Sequence, residues 1–145
     1  MTHPEGDPFA IALVSEVFAA EVKLRSLLTQ ALPKGLELSQ FMVLNHLATV
    51  GRERSPAEIA KTFGVTRAAM TNTLGKLDAM GYIHIRPDWE DGRRKWVALS
   101  DAGSQQRETA VRALSPQFES LAQALGPDRL REVLPVLRDL RAVLP

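Results

Sequence analysis

Residues 55–81 hold two short helices whose start and stop signals are so close together that only a tight bend fits between them. Ser55-Pro56-Ala57-Glu58 is a capping box with proline at the first helical position, where its missing N–H goes unneeded. Ile59 and Phe63 then share one face, and Gly64 supplies the left-handed residue that ends a helix. Only Val65 separates that glycine from Thr66, itself a good N-cap. The helix that follows reaches Met80, carries Met70, Leu74 and Leu77 as its inner stripe, and is ended by Gly81. Two short helices joined by a short glycine-containing turn form a helix-turn-helix.

The rest of the chain places that motif in a larger unit. Asp7-Pro8 starts a helix running to about Leu32. Its apolar residues, among them Phe9, Leu13, Val14, Val17, Phe18 and Val22, are spread too widely for one narrow stripe. Pro33-Lys34-Gly35 breaks it, and a second helix covers Leu38 to Thr49. After Gly81 the period changes. Tyr82–Pro87 and Lys95–Ser100 read as strands, with the glycine-containing stretch Asp88–Arg94 as the hairpin loop between them. Ser100-Asp101 caps a helix to Leu125, in which Pro116 is expected to cause a kink. Gly126-Pro127 opens a last helix with Leu130, Val133, Leu134, Leu137, Leu140 and Leu144, and a second internal proline, Pro135.

A helix-turn-helix followed by a hairpin is a winged helix. The expected fold is therefore mainly α (α+β), with a two-stranded β-wing. Residues 1–37 are expected to form an N-terminal dimerisation helix, 38–100 the winged helix-turn-helix, and 101–145 the C-terminal dimerisation helices, all in one integrated domain. The terminal helices carry more apolar surface than one thin bundle can cover, which points to a homodimer.

Composition narrows the function classes. Apolar residues make up 45% of the 145, enough for a real core. With no cysteine, disulfide frameworks, thiolate zinc sites and thiol redox switches are excluded. The first ten residues lack a basic n-region and no apolar run approaches membrane-spanning length, so a cytoplasmic location is expected. His3, His46 and His84 lack ligand-like spacing, so no metal is expected, and His46 is expected to satisfy a local hydrogen bond. No nucleophile–base–acid set, phosphate loop or carboxylate pair appears, so the chain reads as no enzyme and as needing no cofactor. The net charge of +1 is uninformative, but residues 51–96 hold nine Lys/Arg against six Asp/Glu while the flanks hold nine against eleven. A basic centre between acidic flanks suits a module that reads double-stranded DNA, although a few charges also fluctuate by chance.

With Met70, Leu74 and Leu77 turned inward, the helix after Thr66 presents Arg67, Ala68, Thr71, Asn72, Gly75 and Lys76 outward. The major groove distinguishes all four base pairs by their donor and acceptor patterns. Arg67 can fork onto guanine, Asn72 can pair with adenine, and Thr71 can bond a base or touch a thymine methyl. Ala68 leaves room for close approach, and Lys76, a turn later, suits phosphate. Arg93 and Arg94, with Lys95, stand on the hairpin loop, where cations can enter a narrow minor groove. Asp91, two residues before Arg93, is expected to orient that guanidinium by a charge-assisted pair. Arg52 and Arg54 suit backbone phosphate or simple loop solvation equally. Trp89 and Trp96 are expected to pack the wing, with approach to DNA the alternative for either. The competing function is a winged-helix protein-interaction module without DNA binding, whose outward face should be apolar or acidic.

The chain resembles the MarR family of transcriptional regulators over almost its whole length. Gly35–Leu47 (GLELSQFMVLNHL) is similar to the family's second helix, and Ser55–Ile83 (SPAEIAKTFGVTRAAMTNTLGKLDAMGYI) to its helix-turn-helix. Asp88–Ser100 (DWEDGRRKWVALS) resembles the wing, and Ser100-Asp101-Ala102-Gly103 the opening of the next helix. Trp89 stands where the family often has proline, and Gly92 where it often has arginine. The resemblance implies a triangular homodimer with interlocked terminal helices, most often a repressor on a palindromic operator. It also implies, for many members, release from DNA by a small, often aromatic effector bound between the dimerisation and DNA-binding parts.

Overall fold

The structure, a computed structural model, describes residues 6–145; His3 lies outside them. Six helices and one hairpin follow in the order α1 (Pro8–Ala31), α2 (Leu38–Val50), α3 (Pro56–Phe63), α4 (Arg67–Ala79), β1 (Ile83–Pro87), β2 (Lys95–Leu99), α5 (Asp101–Leu125) and α6 (Pro127–Val143). The fold class is the expected one, and each boundary lies within two residues of its expected place.

Local chemistry accounts for the elements. Asp7 caps α1 by accepting from the amides of Phe9 and Ala10 at 2.8 and 3.2 Å. In α3 the capping box closes in both directions, since Glu58 N donates to Ser55 Oγ (3.2 Å) and Ser55 N to Glu58 Oε1 (3.5 Å). Gly64 stops α3 at φ 63°, in the left-handed region that favours glycine. Thr66 Oγ1 then accepts from Ala69 N at 3.1 Å and starts α4. Pro116 and Pro135 remove one backbone bond each, yet α5 and α6 continue through them.

The core gathers where α2, α3, α4, the hairpin and the first half of α5 meet. Leu44, Ile59, Leu77, Ile83, Val97 and Leu114 are among its most deeply buried side chains. Ala110 and Leu114 belong to this core although they follow the wing in sequence. The hairpin pairs Ile85 with Val97 and Arg86 with Trp96 in antiparallel register. A third, single-residue rung was not legible in the sequence: Arg54 N donates to Val97 O (3.0 Å) and Val97 N to Arg54 O (2.8 Å). It fixes the wing to the start of α3.

A second clamp joins the wing to α5. Ser100 Oγ donates to Gly81 O at 2.6 Å and accepts from Gly103 N at 3.0 Å. A Cβ on Gly103 would lie 1.9 Å from Tyr82 O, so only glycine lets the first turn of α5 lie on that carbonyl. By contrast, α1 and α6 bury no residue within the chain.

Candidate nucleic-acid interface

Helix α4 is amphipathic in the expected sense. Met70, Leu74 and Leu77 are buried, while Arg67, Ala68, Thr71, Asn72, Gly75 and Lys76 are all exposed. The outward face carries forked, amide, hydroxyl and small side chains, with no large apolar and no acidic residue among these six. Thr66, at the N-terminus of α4, is exposed; its oxygen is used by the cap, which leaves the hydroxyl hydrogen available to a phosphate. Lys76 Nζ sits 3.4 Å from Glu37 Oε1, an exposed pair that contributes little and can be exchanged for phosphate.

The wing closes the other side. Arg67 and Thr71 of α4 line one cleft of about 540 Å³ together with Asp91, Arg93, Arg94 and Lys95 of the wing and Ser55 to Glu58 of α3. Thus two of the residues singled out on the helix meet those of the hairpin, whereas Ala68, Asn72 and Lys76 do not line this cleft. Arg52 stands outside this cleft, against Glu53, Arg86 and Asp88 on another face of the wing.

Several side chains are placed otherwise than expected. Asp91 does not hold the Arg93 guanidinium. Its Oδ1 accepts from the Arg93 backbone amide at 3.1 Å, and its carbonyl from Arg94 N at 3.0 Å. A short Asp side chain two residues upstream reaches the loop backbone more easily than the end of an arginine, so Asp91 shapes the turn. Trp89 is not buried in the wing but 81% exposed on its loop. Trp96 does pack, with its Nε1 donating to Asp88 Oδ2 at 3.1 Å and Arg94 stacked 4.7 Å above its ring. His46 finds no hydrogen bond: its Nε2 is buried without a partner, and the ring meets the edge of Phe63 at 5.5 Å. Burial, and secondarily the charge of Arg54, lower its pKa and favour the neutral ring.

The structure adds residues that had not been singled out. Asp88 organises the loop, since its Oδ1 accepts from Glu90 N (2.9 Å) and Asp91 N (3.4 Å). The bond from Glu90 N is the main cause that holds its carboxyl below the usual range. An aspartate opening a turn is a recognisable Asx-turn signal, and this one was legible in Asp88-Trp89-Glu90. Arg86 grips Glu53 with two bonds, Nε to Oε1 at 2.9 Å and Nη2 to Oε2 at 2.6 Å. Hydrogen bonding between them lowers the Glu53 pKa and raises that of Arg86. This pair joins residues 33 apart, and no local pattern announces it.

Glu58 lies at the floor of the cleft. Arg54 Nε stands 3.1 Å from its Oε2 but off the hydrogen-bond direction, so that pairing is chiefly coulombic. The Arg54 side chain is 18% exposed and turned to Glu58, unlike the exposed cations Arg67, Arg93 and Lys95. Arg94 Nη2 lies 3.6 Å from Glu58 Oε1. Burial pushes the Glu58 pKa up, but the hydrogen bonds from Ser55 and the charges of Arg54 and Arg52 outweigh it, so the group is held ionised. Among the described residues, no group of three or more His, Asp or Glu side chains is placed to hold a metal.

Comparison with known proteins places this geometry. Residues 34–94 match the model of the MarR family. The chain is 29% identical over 129 residues to an uncharacterized HTH-type transcriptional regulator of Mycobacterium leprae, covering 88% of this chain and 89% of the relative. A MarR mutant from E. coli, solved in complex with operator DNA, superposes with a TM-score of 0.78 at 25% identity, over 97% of this chain and 100% of the other. The structure of BpsR from Bordetella bronchiseptica, whose DNA binding is regulated by 6-hydroxynicotinic acid, shares the fold with a TM-score of 0.79 at 21% identity, over 90% and 98% of the two chains.

Proposed function

We propose, from the match of residues 34–94 to the MarR family model and the likeness to MarR bound to operator DNA, that this chain is a MarR-family sequence-specific DNA-binding repressor acting as a homodimer on a palindromic operator. The observation that carries this reading is the shared cleft, in which Arg67 and Thr71 of α4 face Arg93 and Lys95 of the wing. In this reading α4 lies in the major groove, where Arg67, Thr71 and Asn72 read base edges and Ala68 permits close approach. Thr66 and Lys76 take phosphates, Arg93 enters the adjacent minor groove, and Arg52 touches the flanking backbone.

The homodimer is supported by the uncovered apolar surface of the terminal helices. Phe9, Phe18 and Val22 of α1 are 86%, 68% and 64% exposed, and Val133, Val136 and Leu137 of α6 also face solvent. Exposed large apolar side chains in that number are the kind of surface that an interface covers. The division into dimerisation segments at 1–37 and 101–145 around a DNA-binding part at 38–100 follows the same surface, with the start of α5 shared between the two. A small aromatic effector has a suitable place in a mostly apolar hollow of about 410 Å³ between α1, α2 and α6, lined by Leu24, Leu28, Phe41, Met42 and Leu137 together with the Glu21–Arg25 pair.

The rival, a protein-interaction module, requires an apolar or acidic recognition face, whereas Arg67, Thr71, Asn72 and Lys76 give the outward face of α4 a polar and basic character. Sedimentation at micromolar concentration, followed by titration with labelled duplex DNA, tests the proposal. A dimer that binds duplex with strong salt dependence supports it; a monomer, or a dimer indifferent to DNA, contradicts it.

A further inference from the structure

The two arginines of the wing are not equivalent. Arg93 lines the cleft with only its backbone amide engaged, by Asp91. Arg94 is held twice, by the Trp96 ring at 4.7 Å and by Glu58 Oε1 at 3.6 Å. Resting on the reading of this cleft as a DNA site, we infer that Glu58 competes with DNA phosphate for Arg94, so that wild-type protein binds DNA without that arginine.

Three features of Glu58 support this. Its carboxylate is immobilised, because the Ser55 amide and hydroxyl both donate to Oε1, at 3.5 and 3.1 Å. The pair with Arg94 therefore costs the ordering of only one long side chain, unlike a typical surface ion pair. Second, Glu58 lines the same cleft as Arg67 and Arg93, where its charge opposes an incoming phosphate. Third, it occupies the first turn of α3, where it offsets the positive end of a helix dipole that would otherwise attract an anion. Arg54 adds a cation on the far side of the carboxylate, and with 18% of its side chain exposed it cannot follow the phosphate outward.

Glu58→Gln separates charge from structure, because glutamine keeps the acceptor that closes the capping box. Affinity for a labelled mixed-sequence duplex of about four helical turns reads the phosphate contribution directly, since non-specific binding is almost wholly electrostatic. Glu58→Gln should bind this duplex roughly tenfold more tightly per dimer, and its log-affinity against log-salt slope should steepen by about two, one contact per subunit. Arg94→Ala should leave the wild-type slope nearly unchanged and should abolish the gain in the Glu58→Gln background. Thermal melts establish that each variant is folded.

The inference is overturned if folded Glu58→Gln binds no better than wild type, or if its gain survives Arg94→Ala. A wild-type slope that drops on Arg94→Ala alone overturns it equally, whatever Glu58→Gln does. If wild-type protein binds no duplex at any salt concentration, the reading of the cleft falls and takes the inference with it. Salt-dependent wild-type binding with no effect of Glu58 removes the inference alone.

Discussion

Trp96 Nε1 donates to Asp88 Oδ2 at 3.1 Å, across the mouth of the wing hairpin. The other oxygen of the same carboxylate accepts from the amides of Glu90 and Asp91, so one side chain ties strand to loop. Asp88→Ala should free the loop while leaving the helical core intact. The expected signature is faster hydrogen exchange at the Glu90 and Asp91 amides, a red-shifted Trp96 emission, and an unchanged far-ultraviolet spectrum. Retained protection at both amides would show that the loop is held by other contacts.

Two glycines should respond oppositely to alanine. Gly103→Ala puts a methyl group 1.9 Å from Tyr82 O, and a backbone atom cannot step aside cheaply. A loss of about 1–3 kcal/mol in urea unfolding is expected, as for other overpacked sites. Gly75, inside α4, has open space around its Cβ direction. Gly75→Ala should stabilise the fold by about 0.5–1 kcal/mol. Because Gly75 shares the outward face with Thr71 and Asn72, the same change should weaken DNA binding. Thermal melts and duplex titration on the two variants check both signs.

Acid should destabilise the protein in two stages. His46 has its pKa lowered by burial, then by Arg54, so its contribution is complete above the ordinary histidine value of about 6.5 and fades below it. Glu53, Glu58 and Asp88 are all held below the usual carboxylate range. Their contribution is present above the unfolded values of about 4 and is lost as pH falls through the lower folded ones. His46→Leu should flatten the first stage and Asp88→Asn should reduce the second. Melting temperature followed from neutral to strongly acid pH reads both, and identical profiles for wild type and His46→Leu would rule out the histidine contribution.

Much of this architecture is legible in the sequence because its punctuation is local. The Ser55 capping box, Gly64, Thr66 and the change of period after Gly81 each act within a few residues, and each stands where the structure has it. The outward face of α4 follows from its inner stripe by helical geometry alone. What was misread depends on contacts between distant residues or on side-chain reach. The Arg54–Val97 rung and the Arg86–Glu53 pair join the approach to α3 with the wing, and nothing local encodes them. Charge alone points Asp91 at a guanidinium, whereas its short side chain favours the loop amide. In the sequence Arg94 is indistinguishable from Arg93, since nothing local places Glu58, 36 residues earlier, beside it.

Base reading and phosphate attraction should separate by mutation. Asn72→Ala should cost about 1–3 kcal/mol on a specific site and relax preference at one position per half-site. Arg93→Ala should instead weaken binding most at sites flanked by A·T tracts and reduce the salt slope by about one or two per dimer. Affinities at several salt concentrations on A·T- and G·C-flanked duplexes distinguish the two. An Arg93→Ala protein with unchanged slope and flank preference would remove the wing from the interface and favour the protein-interaction rival.

The most direct measurement is selection of bound duplexes from a random pool by the purified protein, followed by sequencing. A two-fold protein demands two-fold DNA, so the enriched sequences should form an inverted repeat with half-sites about one helical turn, roughly 34–36 Å, apart. Inserting about five base pairs between the half-sites should then weaken binding strongly, because the second α4 would face the wrong side of the duplex. Enrichment of that repeat, and its loss in Asn72→Ala, is the expected result. A pool that stays random after repeated rounds, or an enriched site whose affinity ignores the insertion, would contradict sequence-specific recognition by a symmetric dimer.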